Sequence, residues 1–254
     1  MRSASLRALV LPAALLALAE IAARISGMQS DSLAPPSAVA LAFMGAVADG
    51  SLAGATGDTL LTAFGGLALG GGIGLMLGVL FGLVPVLDRL MELTLETVRP
   101  IPSVALIPIA LIALGFGYRM EIAIVSFACV WPVLILTRSA IAGIEPRLLE
   151  VARALRLTLA QRIVKIVLPA ALPRIVVAFR LAAGIALVVA VTVEIAANPQ
   201  GLGHAIMASQ QALQPAAMLA YLAWLGVVGF TLNLLLVKAQ QRLLGRAAQA
   251  GTAR

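Results

Sequence analysis

Few residues in this chain are equipped for chemistry. Its 254 residues include one histidine, His204, and one cysteine, Cys129, too few for a nucleophile with its base or for a Cys/His metal set. No G-x-S-x-G or G-x-x-x-x-G-K-[ST] segment occurs, so neither a nucleophile elbow nor a phosphate-binding loop is encoded. Cys129 lies in an apolar run and reads as a small buried hydrophobe, and His204 reads as a surface residue. Two acids, Glu20 and Glu194, fall inside apolar runs, where an ionisable group is a functional candidate by default. Both lie near run ends, which favours snorkelling or contact with an external partner. Arg180, at the other end of its run, is equally readable as a lipid-facing anchor.

Charge concentrates in residues 145–173, EPRLLEVARALRLTLAQRIVKIVLPAALP. Glu145, Arg147, Glu150, Arg153, Arg156, Arg162 and Lys165 gather there in a chain that is only 11% charged. Leu148, Ala152, Leu155, Leu159, Ile163 and Ile166 recur at spacings of three and four, which predicts one apolar stripe on a helix with charges around the rest. Such a helix lies beside a membrane or in a partner's groove. It cannot span, because each charge at mid-depth costs about 2.5 kcal/mol or more.

The surrounding elements must hold this island. With 61% hydrophobic residues and a mean hydropathy of +1.05, the chain exceeds the apolar share of soluble domains, about 45–50%, and the fold class is all-α polytopic membrane protein. About six apolar runs have the length of a span, roughly 20 residues, so residues 1–254 read as a single transmembrane domain with a charged loop at 143–173. The net charge of +7 is carried by residues flanking spans without interleaved aromatics, which points to membrane topology and away from nucleic acid.

The first run, 8–25, follows Arg2 and Arg7; a basic start and Ala17-Leu18-Ala19 also fit a cleavable export signal, and Glu20 and Arg24 have the spacing of a helical pair. Residues 27–58 read as an outside loop with a short interfacial helix at 37–47. The second span, 59–84, carries Gly66, Gly70, Gly74, Gly78 and Gly82 at intervals of four, a row that lets another helix approach closely. Residues 88–99 predict a helix on the inner surface, ended by Pro100 and Pro102. The third span, 101–117, is short and contains Pro108; such an interrupted helix either lines a transport pathway or is merely kinked. A turn at 118–121 leads into the fourth span, 122–141. Pro169 and Pro173 open the fifth span, 175–197, which ends near Glu194. A loop and the sixth span, 216–237, complete the chain. With the N-terminus inside, only Arg24 and Arg119 of the 18 basic residues fall outside, so the positive-inside rule places both termini and residues 145–173 in the cytosol.

That loop resembles the EAA loop of the binding-protein-dependent ABC importer permeases, whose pattern is E-A-A, three residues, Gly, nine residues, I-x-L-P. Glu150, Ala152, Ile166, Leu168 and Pro169 match five of its seven fixed places; Val151 replaces Ala, and Arg156 stands where the family has the Gly that allows a sharp turn. Arg99-Pro100-Ile101-Pro102-Ser103-Val104-Ala105-Leu106-Ile107-Pro108 with Gly115-Phe116-Gly117 is similar to the R-P-x-P-x-x-A-x-x-P…G-x-G stretch of permeases for aliphatic sulfonates, taurine and nitrate. Ala34-Pro35-Pro36-Ser37, Glu194 and Gly201-Leu202-Gly203 extend the likeness over almost the whole chain.

The resemblance implies a permease subunit in a bacterial inner membrane, importing a small organic or inorganic anion such as a sulfonate, taurine or nitrate. It implies that Glu150, Val151, Ala152, Arg153, Ala154, Leu155, Arg156 and Leu157 form a coupling helix docked on a cytosolic ABC ATPase dimer. ATP and Mg²⁺ would bind there, with no cofactor in this chain. It further implies an extracytoplasmic solute-binding protein and a second permease copy; Pro100, Pro102 and Pro108 on the interrupted third span, with the intramembrane acid Glu194, are the candidates for the translocation pathway. The stripe Leu148, Ala152, Leu155 and Leu159 would supply the apolar contact and the charges its rim. The competing reading of those charges is a helix resting on anionic lipid. A secondary transporter needing no ATPase is the alternative function, and it would require a mid-membrane ion site or related halves, of which neither is visible.

Overall fold

A chain this apolar can satisfy its backbone in lipid only by forming helices, and in the computed structural model helices account for the architecture. Residues 2–25 and 33–245 are described, and no strand occurs among them. The helices are α1 (Arg2–Ile25), α2 (Pro36–Ala48), α3 (Ser51–Leu83), α4 (Pro85–Val98), α5 (Ile107–Leu114), α6 (Tyr118–Ala142), α7 (Pro146–Ala154), α8 (Leu159–Arg162), α9 (Leu168–Ala196), α10 (Gly201–Gln211) and α11 (Pro215–Leu244). A 3-10 turn, Ser103–Leu106, precedes α5, and a π turn, Ile163–Val167, precedes α9.

The core is α3, α6 and α9 packed side by side. Glycine makes the first contact possible: a methyl on Gly66 would lie 2.4 Å from Val125, on Gly70 2.1 Å from the Ser126 carbonyl oxygen, on Gly74 2.5 Å from that of Val130, on Gly78 2.7 Å from Thr137, and on Gly82 2.7 Å from Ile141. A Cβ would therefore clash at all five glycines, and at Gly70, Gly74 and Gly78 it would meet backbone carbonyl oxygens of α6, the close approach that small-residue rows allow. The partners advance together, from Val125 to Ile141 as α3 runs from Gly66 to Gly82, so α3 and α6 are parallel. α9 runs the other way, with Cys129 Sγ near the Ala182 carbonyl and Phe179 over Gly71. Cys129 is fully buried in the cluster with Ile124, Val125, Val133, Ala186 and Ala190.

Parallel α3 and α6 have a topological consequence. Residues 84–117 must carry the chain back from the Leu83 end to the Tyr118 end. They do so in two pieces, α4 and the segment 103–114, bent by 80° at the break. The expected third span is thus not a continuous helix: α5 has only 8 residues, roughly 12 Å at 1.5 Å per residue. Pro100 and Pro102 occupy the break, and Pro108 sits in the first turn of α5, where a missing N–H costs nothing and no kink results. Gly115 (φ 73°) and Gly117 (φ 108°) make the turn into α6 in backbone regions closed to most L-residues.

Four helical stretches are long and apolar enough to span, and the bent pair makes five; α1, at 24 residues, has the length of a sixth crossing. Several expected boundaries move. The loop at 27–58 is shortened because α3 starts at Ser51; Asp49 accepts the Ser51 N–H at 2.9 Å, and the Ser51 hydroxyl and amide hold its carboxyl below the usual carboxylate range. The supposed turn at 118–121 is the first turn of α6, and the loop after α9 contains α10. Pro173 lies inside α9. Glu20 is tied within the chain: it pairs with Arg24 at 2.6 Å and accepts the Ser37 amide at 3.0 Å and hydroxyl at 2.8 Å, so it caps α2 from α1. Arg180 is a tie between helices, donating to Gln240 at 3.2 Å and Asn233 at 3.4 Å on α11.

Candidate functional site

The charged island folds as two short helices with a bend, so its residues do not share the one long stripe that their spacing predicts. Pro146 opens α7, whose nine residues end at Ala154. The chain then turns: Leu157 N–H returns to the Ala152 carbonyl at 3.1 Å, and Arg156 takes a left-handed conformation with φ 47°. Thr158 restarts the helix through a reciprocal cap, its hydroxyl accepting the Gln161 N–H at 3.3 Å while Gln161 Oε1 accepts the Thr158 N–H at 3.1 Å. This T-x-x-Q capping box is legible in the sequence and marks a helix start inside the predicted stripe. Ahead of Pro169, the π turn widens the helix where the proline ring would otherwise press on the Lys165 carbonyl.

The bend sorts the loop's surface. Glu150, Ala154 and Arg156 are exposed, as are Leu148 (41%) and Leu155 (65%), while Leu157 is half-buried. Ala152, expected on the contacting stripe, is only 2% exposed and turns toward its own bundle. Val151, Arg153 and Leu159 lie on the same segments, but their side chains are outside the described set. The loop abuts the Leu83 end of the bundle, where a cleft of about 340 Å³ is lined by Phe81, Asp88, Arg138, Ile144, Arg162 and Val167. Arg138 contacts Asp88 at 2.6 Å and Glu92 at 4.0 Å, which ties α6 to α4.

Because a non-glycine residue in the left-handed region is strained by about 1 kcal/mol or more, Arg156→Gly is expected to raise the unfolding free energy of the solubilised protein by roughly 0.5–1 kcal/mol. Denaturant titration measures this. Destabilisation by the same amount would mean that the Arg156 side chain holds the turn.

The opposite end of the bundle holds a buried polar cluster. Glu121 is 1% exposed, Glu194 and Asn198 2%, and Thr59 and Thr62 0%. Thr62 Oγ1 and Asn198 Nδ2 each donate to Glu121 at 2.5 Å, Glu194 Oε2 accepts the Gly203 N–H at 2.7 Å, and Thr59 Oγ1 accepts the Leu202 N–H at 2.9 Å. Beside it the Tyr118 hydroxyl donates to Asp58 at 2.7 Å. The cluster joins α3, α6, α9 and the N-terminus of α10, whose free N–H groups suit carboxylate and hydroxyl acceptors. Glu194 is therefore not a snorkelling or docking residue; it caps α10 from inside the protein. His204 is exposed on α10, in the wall of a neighbouring pocket. Sequence reasoning missed Glu121, Asn198, Thr59 and Thr62, since Glu121 looked like a turn residue and the threonines like span filler.

Between the two ends lies the broken crossing. Pro100, Pro102 and Pro108 are all exposed, and none of them lines the pocket beside Glu194 and Asn198. Arg99, expected at the inner surface, instead shares a pocket with Phe127, Trp131 and Pro132, halfway along α6.

A polytopic helical bundle with a bent two-helix loop at one end and a broken crossing beside its core defines a transport permease. Residues 70–249 match the family described as binding-protein-dependent transport system inner membrane component, and the chain belongs to that family. It is 31% identical over 224 residues to the putative aliphatic sulfonates transport permease protein SsuC of Bacillus subtilis, covering 88% of this chain and 81% of that one. The taurine transport system permease protein TauC of Escherichia coli is 28% identical over 67% of this chain and 62% of its own. The bicarbonate transport system permease protein CmpB of Synechococcus elongatus is 29% identical over 70% and 65%. In fold, the chain resembles the inward-facing MetNI methionine ABC transporter, with a TM-score of 0.64 at 24% identity over 75% of this chain and 93% of that one. The protein is thus the membrane permease component of an ABC importer.

Proposed function

We propose that this permease imports a small anion of the sulfonate, taurine, nitrate or bicarbonate class, and that residues 150–157 dock on a separate cytosolic ATPase. The observation that carries the coupling role is the left-handed turn at Arg156: it creates the bend between two short helices at the place where the family pattern has glycine. Exposed Leu148, Glu150 and Leu155, on the segment leading into that bend, supply an apolar and a charged contact. In this reading both termini are cytosolic, ATP and Mg²⁺ are bound by a dimer of the partner ATPase, a binding protein delivers the solute from outside, and two copies of this chain enclose the pathway. ATPase closure would then move the coupling helices as rigid bodies and switch the exposure of the cavity. The relatives named for sulfonates, taurine and bicarbonate support the solute class.

Charge reversal of Glu150 together with Arg153 is expected to weaken ATPase association by about 2 kcal/mol, roughly 30-fold, measured by co-purification and by titration of the ATPase onto reconstituted permease. Undiminished association would remove the coupling assignment.

A further inference from the structure

We propose that Arg99, Ser103 and Trp131 form an oxyanion-binding station midway across the membrane, on the path of the imported solute. The proposal rests on the importer reading above and adds a site to it.

Depth is set by α6. Trp131 stands near the middle of the helix Tyr118–Ala142, roughly 17–20 Å from either end at 1.5 Å per residue. Arg99 ends α4 at the break of the broken crossing, and it lines the same cavity of about 330 Å³ as Ser103, Phe127, Trp131, Ile185 and Val189. A guanidinium at that depth is costly unless something answers its charge. Yet Arg99 takes part in none of the ion pairs or side-chain hydrogen bonds among the described residues. Trp131 adds a second unanswered donor, since its indole Nε1 is buried with no acceptor, a condition that native structures rarely leave uncompensated. Packing of Phe127 on Trp131, edge-on with ring centroids 5.5 Å apart, fixes the indole. Ser103, the first residue of the 3-10 turn, brings a hydroxyl.

The wall therefore combines Arg99 and Ser103 with the Trp131 ring, whose N–H is buried behind it; its remaining side chains are apolar, and no carboxylate lines it. A donor-rich, acid-free pocket selects an oxyanion and rejects a cation. Guanidinium presents two parallel N–H groups to two oxygens of a sulfonate, nitrate or bicarbonate, and the Trp131 ring beside it reports the occupancy of the cavity. Prolines 100 and 102 keep the backbone unwound at this level, the arrangement by which discontinuous helices line solute cavities.

The protein has two tryptophans, Trp131 and Trp224, so Trp224→Phe leaves emission from Trp131 alone. Methanesulfonate titrated into this full-length variant, at ionic strength held constant with bulky gluconate, is expected to change that emission saturably. Arg99→Gln should weaken the apparent affinity at least tenfold, with Arg99→Lys in between. A flat response, or an equal one in Arg99→Gln, overturns the site. In proteoliposomes carrying the complete transporter, Arg99→Gln should lower the maximal rate of ATP-driven uptake at least tenfold while ATPase co-purification and the thermal midpoint are unchanged. Equal rates, or a loss explained by a lowered midpoint, also overturn it. Anion binding to Trp131 with no ATP-driven uptake by the wild type would instead overturn the importer reading and leave the site standing.

Discussion

Gly70→Ala should destabilise the solubilised permease by about 3 kcal/mol, at the upper end for overpacking, whereas Gly72→Ala, two residues along the same helix, should be neutral or stabilising by up to about 1 kcal/mol. The added methyl at Gly70 would meet the Ser126 carbonyl oxygen at 2.1 Å and its Cα at 2.7 Å, while nothing lies within 4 Å of the same methyl at Gly72. Backbone atoms cannot rotate aside as a side chain can. The variant must therefore separate α3 from α6 and lose contacts along the whole seam, in a medium where packing, and not water exclusion, holds helices together. Denaturant unfolding of both variants in detergent reads the difference. Equal midpoints would mean that α3 and α6 do not meet in this register.

Glu194→Ala is expected to cost a further few kcal/mol, about 3 by the usual penalty for stranding buried polar groups. It would leave the Gly203 N–H without its acceptor and open space beside Glu121. Glu194→Gln should stay within about 1 kcal/mol of the wild type, because an amide still accepts from Gly203 and can also donate to an acid neighbour. Hydrogen exchange at Leu202 and Gly203 would localise the loss in the alanine variant to the start of α10. Destabilisation of the glutamine variant as large as that of alanine would show that the carboxylate charge itself is needed there.

Local properties of the chain are legible in the sequence. Hydropathy marked the runs that must become helices in lipid, and the glycine period marked the face that approaches another helix. The Glu150 to Pro169 spacing picked out the loop, and the T-x-x-Q box within it predicts the second short helix, although the apolar stripe across it suggests a single one. The stripe misleads because Leu148, Ala152 and Leu155 keep helical spacing while the backbone between them and Leu159 leaves the helix at Arg156. Periodicity records which side chains are apolar, and it is blind to one residue in the left-handed region.

Non-local properties were decided by tertiary structure alone. That α3 and α6 are neighbours along one seam follows from shape complementarity between the glycines and the Val125 to Ile141 stretch, and the crossing expected between them is broken into two pieces bent by 80°. Depth along that crossing moves Arg99 from the expected inner surface to the middle of the bundle. Glu121 and Glu194 come from helices that pack antiparallel, so their meeting at one end of the core depends on which ends adjoin, information no window of sequence contains. Composition and spacing are sums over neighbours in the chain and determined that this protein is a polytopic helical membrane protein with one charged loop, while the motifs in that loop and at residues 99–117 carried the likeness to the permease family. Which buried polar groups share a site is set by how the finished helices cross, and only the packed structure resolves it.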